Sequence, residues 1–171
     1  MKMKLIFLFL ILHVCFYNQY IELTWQQDRI QFVKMKQKYE WLNKDLFTTV
    51  LRESRRNDLR THLMMSLIQV ESGGKNVISR MNKNLTRDYG IMQINSSNLN
   101  KNEDVRILMN PQINIAKGCA YFRFCLDIAN QDKSIAIRFY NSGPNGKKHL
   151  YRNWAYVDRV FGNYIAYCNM K

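Results

Sequence analysis

Two segments of this chain repeat apolar residues at helical spacing, and each is bounded by residues that start or stop helices. From Leu59 to Glu71, the side chains of Leu63, Leu67 and Val70 share one face, with Met64 and Ile68 beside them. The run ends at Gly73-Gly74, because glycine accepts the positive φ that closes a helix. Asn57-Asp58 is expected to cap its start. Asn110-Pro111 opens a second helix, in which Ile115, Cys119, Phe122 and Leu126 form a core-facing stripe. Shorter helices are expected over Ser134–Tyr140, ending in the turn Asn141-Ser142-Gly143-Pro144, and over Trp154–Tyr167. Residues 75–89 read as a loop or small β excursion, and Gly90–Asn95 as a strand or a helix start. The expected class is mainly α, with at most a small β element.

Of the 171 residues, 47% are apolar, enough for the core of one domain, so wholesale disorder is excluded. No apolar run reaches the roughly 18 residues of a membrane span, which excludes a multi-span membrane protein. Lys and Arg number 26 against 13 acidic residues, a net charge of +13, so an anionic partner is expected. Residues 20–57 concentrate cations and aromatics without Pro or Gly. There Ile30, Val33, Tyr39, Leu42 and Leu46 recur at loose helical spacing, predicting a basic helical lead-in. That lead-in has two readings, contact with a polyanion or an ordinary solvated helix face. No groove-reading or zinc pattern supports a specific nucleic-acid partner. Without a CxxC pair, and with His13, His62 and His149 scattered, neither a metal site nor a cofactor is expected.

The first residues, Met1-Lys2-Met3-Lys4, are basic, and Leu5–Phe16 is nearly all apolar. That pattern predicts a secretory signal or N-terminal anchor over residues 1–19, with export to the periplasm or cell envelope and anchoring to the inner membrane through residues 5–16 as one outcome. No small-residue cleavage site follows it. Export makes disulfides possible, and removal of the leader leaves Cys119, Cys125 and Cys168. On one helix, Cys119 and Cys125 would stand roughly 9 Å apart, too far to bond. Any bridge must then reach Cys168. Cys125–Cys168 is the pairing expected, without a geometric ground that excludes Cys119, and three small buried thiols are the alternative.

Glu71 is the anomaly in the first stripe. It lies four residues after Leu67 and eight after Leu63, so it falls on the inward face. Burial and the negative end of the helix dipole would both raise its pKa. A carboxylic acid kept protonated near neutrality suits a general acid for glycosidic cleavage. Spacing alone leaves open a terminal Glu turned to solvent.

The surrounding blocks run Glu71-Ser72-Gly73-Gly74, then Asp88-Tyr89-Gly90-Ile91-Met92-Gln93-Ile94-Asn95, then Asn114-Ile115-Ala116-Lys117-Gly118. Ala136-Ile137-Arg138-Phe139-Tyr140-Asn141-Ser142-Gly143 and Tyr156-Val157-Asp158-Arg159-Val160 follow. In order and spacing these resemble the signature blocks of the lytic transglycosylase catalytic domain, the soluble type with a goose-lysozyme-like fold. The resemblance spans about residues 58–165. It is greatest to the specialised enzymes of secretion, conjugation and pilus systems. It implies an α+β, lysozyme-like helical domain over residues 58–171, folded around a glycan groove and acting on peptidoglycan glycan strands. By the same resemblance, Glu71 is the single catalytic acid/base and Tyr140 the tyrosine that orients it. Ser79, Met92, Gln93 and Asn141 are substrate-binding, Ser72 is structural, and Ile115 and Gly118 are packing positions. The implied product is 1,6-anhydro-N-acetylmuramic acid. The lead-in is longer than such a domain needs and departs from the pattern, as does Phe139.

Asp88 follows Glu71 at a spacing similar to that of animal-type lysozymes, where the second carboxylate takes part in hydrolysis. A hydrolytic muramidase is therefore a second expectation, with Asp88 as possible second carboxylate. A non-catalytic glycan-binding assembly factor is a third. The lysozymes' cysteine framework is missing, and the Tyr140-Asn141-Ser142-Gly143 block belongs to the transglycosylase side.

Overall fold

A computed structural model of the chain describes residues 2–144 and 153–169. His149 lies outside the described residues, as do the side chains of Leu5–Leu12, which carry most of the leader reading. Six helices and one two-stranded sheet make up the described fold: α1 (Lys2–Lys38), α2 (Lys44–Arg56), α3 (Thr61–Glu71), β1 (Asp88–Tyr89), β2 (Ile94–Asn95), α4 (Pro111–Ile128), α5 (Lys133–Ser142) and α6 (Trp154–Cys168). Short 3-10 turns at Ser96–Asn98 and Val105–Met109 lead from the sheet to α4. The mainly helical class with one small β element is therefore observed. Gly90–Asn95 resolves as a hairpin turn running into β2, with Asp88 opposite Asn95 and Tyr89 opposite Ile94 in antiparallel register.

The helix boundaries follow local chemistry. Asn43, Asn110 and Asp132 each accept a backbone N–H with their side chains at the starts of α2, α4 and α5. Pro111 sits at the first turn of α4, where its missing N–H costs nothing. The expected cap at Asn57-Asp58 is corrected. Asn57 closes the C-terminus of α2 and gives its amide to the Glu53 carbonyl, so α3 begins only at Thr61.

One core serves the whole domain. α3 packs against α6, and α4 packs against α2 and α5. Leu63, Met64, Leu67 and Ile68 of α3 meet Ile115, Cys119, Phe122 and Leu126 of α4 in it, all buried. Met35 of α1, together with Tyr39 and Leu42, is buried in the same cluster, whereas Ile30 and Val33 are 59% and 54% exposed. Among the described residues, no helix is long and apolar enough to cross a membrane.

The expected Cys125–Cys168 bridge is also corrected: all four cysteines are free. Cys125 faces the core beside Tyr121, while Cys168 stands exposed in the last turn of α6. Burial pushes the Cys119 and Cys125 thiols up to about 12, so both behave as small apolar side chains.

Candidate active site

Glu71 is the last residue of α3, where the apolar stripe carries it toward the interior. Immediately after it, Ser72 ties the helix end to the hairpin. Its hydroxyl donates to the Ile91 carbonyl at 2.7 Å and accepts from the Gly74 N–H at 3.1 Å. The carboxyl opens onto a cleft of about 400 Å³. Asn82, Asn84, Asp88 and Asn95 of the hairpin region line it, together with Tyr121 of α4, Tyr140 and Asn141 of α5, and Gly143 just after α5.

Burial raises the Glu71 carboxyl from its ordinary 4.5 to about 7. A hydrogen bond from the Tyr156 hydroxyl to Glu71 Oε1 opposes that rise. The negative charge of Asp88 adds to it, and Arg159 subtracts from it. The group is thus close to half protonated at neutral pH. It can give a proton and take one back.

Tyr140 reaches the same cleft, but its hydroxyl does not orient the acid. It donates to the Met92 carbonyl at 2.9 Å, and burial and the neighbouring Glu71 charge hold its pKa well above the usual range. The partner of Glu71 is Tyr156 on α6, which the sequence reading left without a role. Its only signal was its place at the head of the Tyr156–Val160 block.

Met92 is a correction too. Its side chain is fully buried and does not line the groove. The thioether fills the space beside Gly118 of α4, where an added Cβ would come within 2.3 Å of Met92 Sδ. Only the Met92 backbone serves the site. Its N–H donates to Asn114 Oδ1 at 2.7 Å, while its carbonyl holds Tyr140. Asn114 is itself buried and donates to the carbonyls of Tyr89 and Leu108, clamping the hairpin to α4. At Gly90 a Cβ would meet that same amide at 2.3 Å, so the turn needs glycine for space as well as for its φ of 78°.

Gln93 does line the cleft, in a left-handed conformation with φ 48°, and its amide donates to the carbonyls of Gly90 and Val77. Asn141 lines it as well and accepts from Asn153. Ser79 is not a cleft residue. Its hydroxyl accepts from the Asp88 N–H at 2.8 Å and so shapes β1. Asp88 lines the cleft with its carboxylate held by the amides of Asn95, at 2.7 Å, and Asn82, at 3.2 Å. Among the described residues no three His, Cys, Asp or Glu side chains gather closely enough to hold a metal ion. What this cleft can do chemically rests on one proton-transferring carboxyl, a second carboxylate held by amides in the same cleft, and a lining rich in amides that can bond sugar hydroxyl and acetamido groups.

No curated protein matches the chain. Among solved structures, it is similar to an inactive Glu-to-Gln mutant of the lytic transglycosylase Slt from Pseudomonas aeruginosa, at 18% identity and a TM-score of 0.58. That match covers 70% of this chain but only 23% of the Pseudomonas protein, and it shows a shared fold. The transglycosylase SLT domain model matches residues 48–156, a span that runs from within α2 to Tyr156 and takes in every cleft residue named above. The chain belongs to the transglycosylase SLT domain family.

Proposed function

We propose that this chain is a peptidoglycan lytic transglycosylase, a lyase that cleaves the β-1,4 bond between N-acetylmuramic acid and N-acetylglucosamine. The observation that carries this reading is Glu71, a single acid raised to about 7, at the cleft and bonded by Tyr156. Protonated Glu71 gives its proton to the glycosidic oxygen, and the C1–O bond breaks. The sugar passes through an oxocarbenium-like state. Carboxylate Glu71 then takes the proton from the C6 hydroxyl of the same muramic sugar as that oxygen bonds to C1. The product is a 1,6-anhydro ring, and no water is consumed. The Pseudomonas relative, inactivated by a Glu-to-Gln exchange, supports a reaction that depends on one glutamate.

Mass spectrometry of purified sacculi after digestion tests this. Anhydro-muropeptides, one water lighter than hydrolysis products, are expected, and reducing ends alone would overturn it. Hydrolysis is the second reading, favoured by Asp88 lining the same cleft. Asp88→Asn separates the two: a transglycosylase keeps its anhydro product, whereas a hydrolase with Asp88 as its second carboxylate stops turning over. A purely binding role predicts that the Glu71→Gln variant behaves like the parent with sacculi in every respect.

In keeping with the basic-then-apolar start of the chain, the proposed setting is the periplasm or cell envelope. There the enzyme would remodel the wall locally, in the service of a secretion, conjugation or pilus apparatus. Residues 1–19 would act as leader or as inner-membrane anchor. Fractionation of cells into cytoplasm, membrane and periplasm checks this, and a wholly cytoplasmic protein would overturn it.

A further inference from the structure

α1 has two faces. On one, Asp28 bonds Arg55 of α2, Phe32 packs on Phe47 with ring centroids 5.2 Å apart, and Met35 is fully buried. That side is satisfied by the domain. Ile30, two residues beyond Asp28, lies roughly 200° around the helix and points away from the domain. It shares that outer side with Leu23 and Val33, and the three are 52%, 59% and 54% exposed in chain order. Their spacings of seven and three residues are those of successive a, a and d positions of a heptad repeat. Gln26 and Gln37 occupy the d and a positions between and after them. The stripe starts beyond residue 19, so it does not depend on the fate of the expected leader.

The charges beside the stripe choose its partner. Glu22, Arg29 and Lys36 flank it at g positions and Lys34 at an e position, three cations to one acid. In a parallel pair of copies, Arg29 of one would face Lys34 of the other. An antiparallel pair would set Arg29 against Arg29 while pairing Glu22 with Lys36. A second copy thus leaves cations without an opposite charge at the seam, and a helix with acidic e and g positions would supply it. Arg29 also borders a groove of about 530 Å³ between α1 and α2, with Lys44 and Arg52 on its far side, which extends the positive flank. We infer that the outer face of α1, centred on Leu23, Ile30 and Val33, docks a partner protein's amphipathic helix with apolar a and d positions and acidic e and g positions.

The experiment uses the full chain and two synthetic peptides of about three heptads, each with Leu at a and d. One carries Glu at e and g, the other Lys. Fluorescence anisotropy should show the Glu peptide binding at least about tenfold more tightly than the Lys peptide. Ile30→Asp with Val33→Asp should weaken it by at least about tenfold, with sacculus digestion and thermal midpoint unchanged. Arg29→Glu with Lys34→Glu should reverse the peptide preference. Equal binding of both peptides, or binding indifferent to the Ile30/Val33 variant, overturns the inference. So does a dimer in sedimentation velocity that this variant abolishes, which assigns the face to a second copy. Adsorption to phosphatidylglycerol vesicles that the same variant abolishes, without peptide binding, overturns it in favour of a lipid surface.

Discussion

Glu71 couples function to stability through one proton. Its carboxyl stands at about 7 in the folded chain against an ordinary 4.5, so the native state holds the proton more tightly than the unfolded state. The stabilisation from this group is complete below about 4.5 and is lost as pH rises through 7, a swing of roughly 3 kcal/mol. Glu71→Gln removes that ionisation while keeping an acceptor for Tyr156. The variant should lose turnover by about a thousandfold or more. It should also unfold at higher urea than the parent at pH 8, and at about the same urea at pH 4. Equal midpoints at both pH values would mean that the acid is solvated. Tyr156→Phe deletes the hydrogen bond that lowers the Glu71 pKa, so the alkaline limb of the pH–rate profile should move to higher pH, with kcat down about tenfold or more. Glu71 itself was legible, because an acid four and eight residues after core leucines falls on the inward face and heads the first of the family blocks, although spacing alone left a solvent-facing end open. Its partner was not: Tyr140 and Tyr156 are both buried tyrosines, and only the path of α6 decides which hydroxyl reaches the carboxyl.

The element that sets the cleft is the hairpin between α3 and α4. Ser72 fastens it to the end of α3, and Asn114 fastens it to α4. Asn114→Leu would leave the Met92 N–H and the carbonyls of Tyr89 and Leu108 buried without that partner. We expect a loss of about 3 kcal/mol in chemical denaturation, and a fall in turnover while the protein remains folded, because Tyr140 hangs from the same turn. The stripes of α3 and α4 were readable because a 3.6-residue period is local. The hairpin was not. Each strand is two residues long, too short for an alternating pattern to declare itself, and the turn is held by a side chain more than 20 residues away. Met92 was misplaced for the same reason. Position within a motif does not say whether a side chain or its carbonyl faces the cleft, and here the gap at Gly118 takes the side chain.

Across the whole molecule, a charge of +13 would, under the proposed function, draw the chain to an anionic wall with an attraction that salt weakens. Sedimentation with sacculi should therefore fall several-fold between about 0.05 M and 0.5 M salt, whereas a short neutral glycan oligomer should be turned over at a nearly constant rate. By itself the sequence determined the helical class, the two stripes around which the core closes, the order of the family blocks and the acid at position 71. These are properties of neighbours along the chain, and local periodicity and helix stops encode them directly. Tertiary structure alone decided that Tyr156 holds the acid, that Asp88 faces the same cleft, that Met92 is core, that the cysteines stay apart and that Leu23, Ile30 and Val33 of α1 stay exposed among the described residues. Each of these depends on distances between segments far apart in sequence, which are fixed only when the helices pack.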